Sequence, residues 1–384
     1  MKKFLSYAVL AMCMFTFAAC SDDEGPGCSD DEGPGWSADN INSSNGVFII
    51  NSGNQRNGIS GSVSYYDYKN GTTMQKAFEN VNGRALGSTA NDAVVYGSKM
   101  YIIVTGENTI EVVNKNTMKS IKQIKTLEAM GADKGSQPRH GTAKKGIVYI
   151  TTFAGYVAAI DTTSLTVTKT YQAGAYPEGV TVDENYLYVA NSSYGNGEDP
   201  SISIIDINTG DFMIFKNSLI TNPIKLSWIN GKLYILDSGQ YDANWNQIGA
   251  GVYVINENNE VSKVMDATMM TVKGNMIYAV NAPYSYPATT PTYWAYNTST
   301  GTKTALSLKD NNSNAVVPFS PTEIGTDPIT GNIFIASYSP NPDTGYANYA
   351  AAGYVNVYDA NGKYLKQFAT GVGPSSIVFN TEAK

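Results

Sequence analysis

The sequence predicts an all-β protein: a seven-bladed β-propeller of four-stranded antiparallel blades, closed by the C-terminal strand pairing into the first blade. Three observations point there. The stretch Tyr176–Phe215 holds four short runs, GVTV, YLYVAN, SISIIDI and DFMIF, each alternating apolar with small or polar residues, as strands do. The gaps between them are DEN, NSSYGNGEDP and NTG, rich in residues that tolerate chain reversal, so the unit reads as a four-stranded meander, strands A to D. The second observation is repetition. The B run recurs seven times, as VFIIN, MYIIV, VYITT, LYVAN, LYILD, IYAVN and IFIAS, about every 48 residues, a spacing of propeller blades. The third is register. Six copies are preceded by an A strand, the first is not, and the missing strand stands at the other end as Pro374–Phe379. Pairing it into the first blade removes two open sheet edges.

Taken in chain order, residues 1–19 carry Lys2 and Lys3 ahead of the run FLSYAVLAMCMFTFAA, which at about 16 residues is short for a membrane span and suits a cleaved leader. Residues 20–45 are a polar tether in which SDDEGPG follows Cys20 and CSDDEGPG repeats from Cys28. Residues 46–384 are the propeller. Its C strands are SVSYYD, TIEVVN, YVAAID, SISIID, GVYVIN, YWAYN and YVNVYD, and each ends near Asp or Asn and enters a tight turn. No convincing helical periodicity appears after the leader, and neither a WD dipeptide nor a GH motif is present.

Parity places the working face. A→B and C→D links emerge on one side and are short; B→C links and the D→A crossovers emerge on the other. The B→C links reach NSGNQRNGISG (51–61), NSSYGNGEDP (191–200), DSGQYDANWNQIGAG (237–251), NAPYSYPATTPT (281–292) and SYSPNPDTGYANYAAAG (337–353). Blades two and three have short ones, the latter carrying Phe153, but long incoming crossovers at 79–90 and 127–138. Long loops on a rigid scaffold are where binding concentrates. These hold Tyr194, Tyr241, Trp245, Tyr284, Tyr286, Tyr338, Tyr346 and Tyr349. Any one of them could simply cap its own blade, but eight on one side make a recognition surface, because Tyr and Trp give wide contact area at small entropy cost. The A-strand starts bring Asn91, Asp92, Arg139, His140, Glu178, Asn222 and Glu323 around the central opening of the same face.

Composition excludes several chemistries. Charged residues are 15% and the net charge is −7, with no basic block to neutralise phosphates, so no nucleic-acid role is expected. His140 is the single histidine, too few imidazoles for the usual zinc or copper centre, and no metal is expected. Of three cysteines none falls in the propeller, so neither a disulfide framework nor a cysteine nucleophile is available there. His140 reads as a hydrogen-bonding group of the funnel rather than a general base. No catalytic residue or catalytic cofactor is expected. A glycan-cleaving pair of carboxylates meeting across the funnel is unsupported but open.

Phe17-Ala18-Ala19-Cys20 resembles a bacterial lipobox, with Phe17 where Leu is usual. That resemblance implies acylation at Cys20, and the following SDDE resembles the signal that sends lipoproteins of Bacteroidetes to the cell surface. With these features, the YVAN…IIDINTG strand pair and the closing PSSIVF, the chain resembles the seven-bladed propeller lipoproteins of gut Bacteroidetes. Among these it looks most like the BtuG-type surface cobalamin-binding proteins. The resemblance implies a lipid-anchored protein exposed on the outer membrane that captures cobalamin and related corrinoids as transported ligand. It also implies docking on a TonB-dependent outer-membrane transporter. Two other readings of the aromatic face stay open: a surface glycan binder or glycan-cleaving protein, and a scaffold that docks protein partners.

Overall fold

The computed structural model describes residues 41–192, 194 and 199–383. They form seven four-stranded antiparallel sheets arranged as blades, with one extra two-stranded hairpin. Blade one consists of strand A at Pro374–Ala383, B at Ile41–Asn51, C at Ser62–Asp67 and D at Thr72–Met74. The C-terminal strand pairs antiparallel with Ile41–Asn51, so the ring closes as the register of the repeats requires. That pairing starts at Ile41, so the first strand reaches into the stretch read as tether.

The B strands are buried on both faces because each blade is sandwiched between two others, which is why they read as nearly continuous apolar runs. Val47, Phe48, Ile49 and Ile50 are all fully buried, as are Met100, Tyr101, Ile102 and Ile103. Burial of one such side chain contributes roughly 1.5–3 kcal/mol. The core is therefore a set of seven clusters, one between each pair of neighbouring blades. The seventh joins Val47, Ile49 and Tyr66 of the first blade to Phe334, Val355 and Phe368 of the last, and includes the Tyr66–Phe368 stack at 4.6 Å.

The Asp or Asn ending each C strand caps the turn that follows. In all seven blades its side-chain oxygen accepts a backbone N–H two to four residues on, as from Asn70 to Asp67, Thr117 to Asn114, Ser164 to Asp161 and Asn208 to Asp206. The same holds for Asn256, Asn297 and Asp359. Two expectations fail. The long crossovers into blades two and three contain short helices, Ala77–Asn82 and Thr126–Met130, where no helical period was legible. A single turn or two of helix is too short to show a 3.6-residue pattern. The 237–251 link is also not irregular throughout: Gln240–Tyr241 pairs with Gln247–Ile248 in a small hairpin.

Candidate functional site

The A strands line the central opening, and most of them begin alike. Pro138, Pro177, Pro223 and Pro374 are first residues of their strands, where a missing N–H costs no ladder bond, and Pro321 is second in its strand. Directly after this point the pairing with strand B slips in six of the seven blades. A bulge re-aims side chains, and these bulges turn Asp92, Arg139, His140, Glu178, Lys225, Glu323 and Ser376 into contact with partners on other blades.

The result is a continuous polar arc across blades one to four. Ser376 Oγ donates to Asp92 Oδ1 at 2.8 Å, and Asp92 Oδ2 meets His140 Nδ1 at 3.2 Å. His140 Nε2 lies 3.4 Å from Glu178 Oε2. Arg139 closes the arc with a two-pronged pair to Glu178, Nε at 2.9 Å and a terminal nitrogen at 3.0 Å. Asn91 donates to the Arg139 carbonyl at 2.7 Å. Across the opening Lys225 reaches over blade six to Glu323 at 3.3 Å.

Desolvation alone would lower the pKa of His140. Its hydrogen bonds to Asp92 and Glu178 reverse that and hold it at about 9, so the imidazole is charged at neutral pH. Burial pushes Asp92 and Glu178 up, but the hydrogen bond and charge of His140, joined at Glu178 by Arg139, hold both below the usual carboxylate range. The arc thus pairs two cations with two carboxylates. Both imidazole nitrogens face carboxylates, an arrangement that fixes shape rather than freeing a base.

Around this floor stand the aromatic residues. Arg139 lies over the Phe153 ring at 4.4 Å, and Phe153 packs with Tyr176 and Tyr194 at 5.7 and 5.1 Å between centroids. Tyr176 and Tyr194 hold positive φ angles of 49° and 38°, and Trp245 one of 64°. In blade one the position matching Tyr176 is Gly373, where positive φ costs nothing. Thr89 and Gln137 hold the same position ahead of the A strands of blades two and three, also at positive φ, 59° and 54°, so the turn into the strand itself demands this conformation. On the opposite side Tyr241 meets Trp245 at 6.4 Å and Tyr284 at 6.3 Å. The blade-five hairpin is latched to the blade-six link: Gln247 N donates to the Tyr284 carbonyl at 2.7 Å, Tyr284 N to Gln247 Oε1 at 3.1 Å, and Tyr286 N to Asn246 Oδ1 at 3.1 Å. Trp245 and Tyr286 are 72% and 79% exposed, so they are presented, not packed. Tyr338 and Tyr349 pair edge to face at 4.8 Å, and Asn54 of blade one donates to the Tyr349 carbonyl at 2.8 Å. Tyr346 is exposed on the same link.

The sequence-derived candidates therefore separate into a floor (Asn91, Asp92, Arg139, His140), a cluster on blades three and four (Phe153, Tyr194) and a rim on blades five to seven (Tyr241, Trp245, Tyr284, Tyr286, Tyr338, Tyr346, Tyr349). The backbone of Asn222 is fixed at the start of its strand: its N–H donates to buried Asp237, and its carbonyl accepts from the Ser238 N–H. Ser376, Lys225, Tyr176 and Gln247 were missed as site residues. A Pro followed within two residues by a polar group, as in PIK and PSS, is the signal that marks Lys225 and Ser376. Cys20, the leader and most of the tether lie outside the described residues, as do residues 193 and 195–198 beside Tyr194.

Fold and site together define a seven-bladed β-propeller with a charged, pre-formed floor and an aromatic rim on its loop face. The chain belongs to the family described as Domain of unknown function (DUF5074), whose model matches residues 45–380. No curated protein sequence matches it. Among solved structures, a putative 6-phosphogluconolactonase from Bacteroides uniformis aligns with a TM-score of 0.58 at 10% identity, covering 87% of this chain and 99% of that one. The hydrazine synthase of Kuenenia stuttgartiensis aligns with a TM-score of 0.55 at 16% identity, covering 75% and 88%. At such identities the likeness carries the propeller fold alone.

Proposed function

We propose that this chain is a surface binding protein, not an enzyme, that captures cobalamin or a related corrinoid on its loop face. It hands the ligand to a TonB-dependent outer-membrane transporter, and acylated Cys20 tethers it to the outer membrane. The observation that carries this reading is the latched aromatic rim around a fixed polar floor. A corrinoid is broad and fringed with amides, so it calls for a wide mouth with ring faces and hydrogen-bonding groups rather than a narrow slot. Each aromatic contact would contribute roughly 1 kcal/mol beyond burial. Because the hairpin and its neighbouring link are already joined by Gln247 and Asn246, little ordering cost is left to offset that gain. The lipobox-like leader supports the anchor, and the resemblance to cobalamin-binding propeller lipoproteins supports the ligand.

The test is purification of the full chain from medium supplied with cyanocobalamin. The reading expects pink protein that keeps its visible absorbance through desalting. Colourless protein, together with retention of a polysaccharide on a glycan array, would replace the corrinoid by a glycan on the same rings.

A further inference from the structure

The outermost strand of each blade is a sheet edge, and such edges invite pairing with a second chain. Lysine on the edge is a common guard against it. Five edges here carry one: Lys122 in Ser120–Lys125, Lys169 in Thr166–Gln172, Lys263 in Val261–Met265, Lys303 in Thr302–Ala305 and Lys366 in Tyr364–Val372. The blade-one edge, Thr72–Met74, is only three residues long and runs at once into Lys76 and a helix. Blade four departs from all of them. Its D strand, Phe212–Phe215, reads FMIF and carries no charge. Met213 is 50% exposed and Phe212 39%, and Leu219 just beyond the strand is exposed as well.

The register fixes which backbone groups of this strand are free. Asp206 N donates to the Asp211 carbonyl, and the pairing runs on as Ile205 with Phe212, Ile204 with Met213 and Ser203 with Ile214. Hydrogen-bonded pairs alternate along an antiparallel ladder. Met213 and Phe215 therefore turn their N–H and C=O groups inward to strand C, while Phe212 and Ile214 turn theirs outward. An identical strand laid antiparallel satisfies those groups reciprocally, Phe212 of each copy with Ile214 of the other. Met213 then faces its own counterpart on the two-fold axis. The strand ends favour the same direction. Asp211 precedes the strand and enters no salt bridge among the described residues, and Lys216 follows it. Antiparallel copies set the acidic end of each beside the basic end of the other, whereas parallel copies would set like beside like. Lys216 does pair with Asp199, but both side chains are more than half exposed, and such a surface pair contributes little.

We infer that the blade-four edge is a homodimer contact: two copies of this chain pair antiparallel through Phe212–Phe215, joining two blades into one eight-stranded sheet. The guarded edges of the other blades leave a further copy nowhere to add, so assembly closes at two. D strands lead into the loop-face crossovers, so the pairing turns one ring over and keeps both loop faces open. The contact is therefore independent of corrinoid capture. Four residues a side lie at the small end of interface sizes, which makes the dimer weak and concentration-dependent.

Sedimentation velocity of the full chain across about 1–500 µM tests this, with monomer expected at the bottom, dimer at the top and a midpoint on the order of 10–100 µM. Met213→Lys, which restores the guard present on other edges, should keep the chain monomeric throughout without moving the thermal midpoint. Ser262→Lys, on the blade-five edge, should leave the dimer intact. Met213→Cys supplies a second reading, because Cα atoms of a non-hydrogen-bonded pair lie about 4.5 Å apart, within disulfide reach. On mild oxidation it should give a covalent dimer beyond anything the native cysteines yield, and Ser262→Cys should not. A monomer at every concentration, a dimer that survives Met213→Lys, oligomers larger than two, or equal cross-linking of the two cysteine variants would each overturn the assignment.

Discussion

His140 is the chain's single histidine, so its ring protons report one titration without any substitution. Its folded pKa of about 9 lies above the ordinary 6.5, because Asp92 and Glu178 outweigh its desolvation. The bridge therefore contributes its full stability below pH 6.5. That contribution declines as the pH climbs and is gone above about 9. Asp92 and Glu178, held low, act in the opposite sense, and their contribution is lost as the pH falls through their folded values in acid. Following the His140 ring resonances by NMR should give a midpoint near 9; one near 6.5 would mean that the imidazole is not bridged. Trp245→Ala makes the complementary prediction. At 72% exposure its removal should leave the thermal midpoint within a degree or so while weakening ligand binding by about 1–2 kcal/mol. At this scale much of the site could be read in advance. Polar residues at the starts of A strands, and aromatics in long links, stand out in an otherwise apolar alternation. What could not be read was pairing. That Asp92 meets Ser376, or Lys225 meets Glu323, depends on which strands the ring brings together, and those lie far apart in sequence.

Among the elements, the blade-five hairpin is the part whose order matters most. Gln247 bonds to the Tyr284 backbone and also donates through its side chain to the Ser238 carbonyl at 2.8 Å, so one amide holds two blades' links in register. Gln247→Ala should leave the blades folded but loosen the rim, weakening ligand binding by about 1 kcal/mol. Hydrogen exchange should rise at Tyr284 and Tyr286 and stay unchanged in the B strands. Uniform loss of protection across blade five would show instead that the residue supports the fold. The blade meander and its Asp- and Asn-capped turns were legible because each depends on neighbours a few residues apart. The hairpin and the two crossover helices were not, since two-residue strands and single helical turns are shorter than any period that could reveal them. The bulges escaped for a related reason: a slip of one residue is visible only against a partner strand.

For the whole molecule the ring is the decisive feature, and it is held shut at one seam. Beyond the paired strands, Lys115 of blade two is buried and donates to the Thr381 carbonyl at 2.5 Å, with Glu382 at 3.2 Å. Asn380 donates to Tyr65 and to Asn116. Lys115→Ala should therefore destabilise the fold by about 2 kcal/mol, read as a lower midpoint in thermal or denaturant unfolding. An unchanged midpoint would show that the terminal strand closes the ring by its ladder bonds alone. Blade count and closure were legible from the missing first strand of the first copy, a counting argument that needs no contact information. The ligand was not legible in that way, because strands specify a scaffold and the same scaffold serves many ends. The most direct test of the central claim is calorimetric titration of the full chain with cyanocobalamin. The account expects one site per chain with a Kd below the micromolar range, lost when Trp245 and Tyr286 are both changed to alanine. A flat titration, or full affinity retained in that double variant, would contradict it.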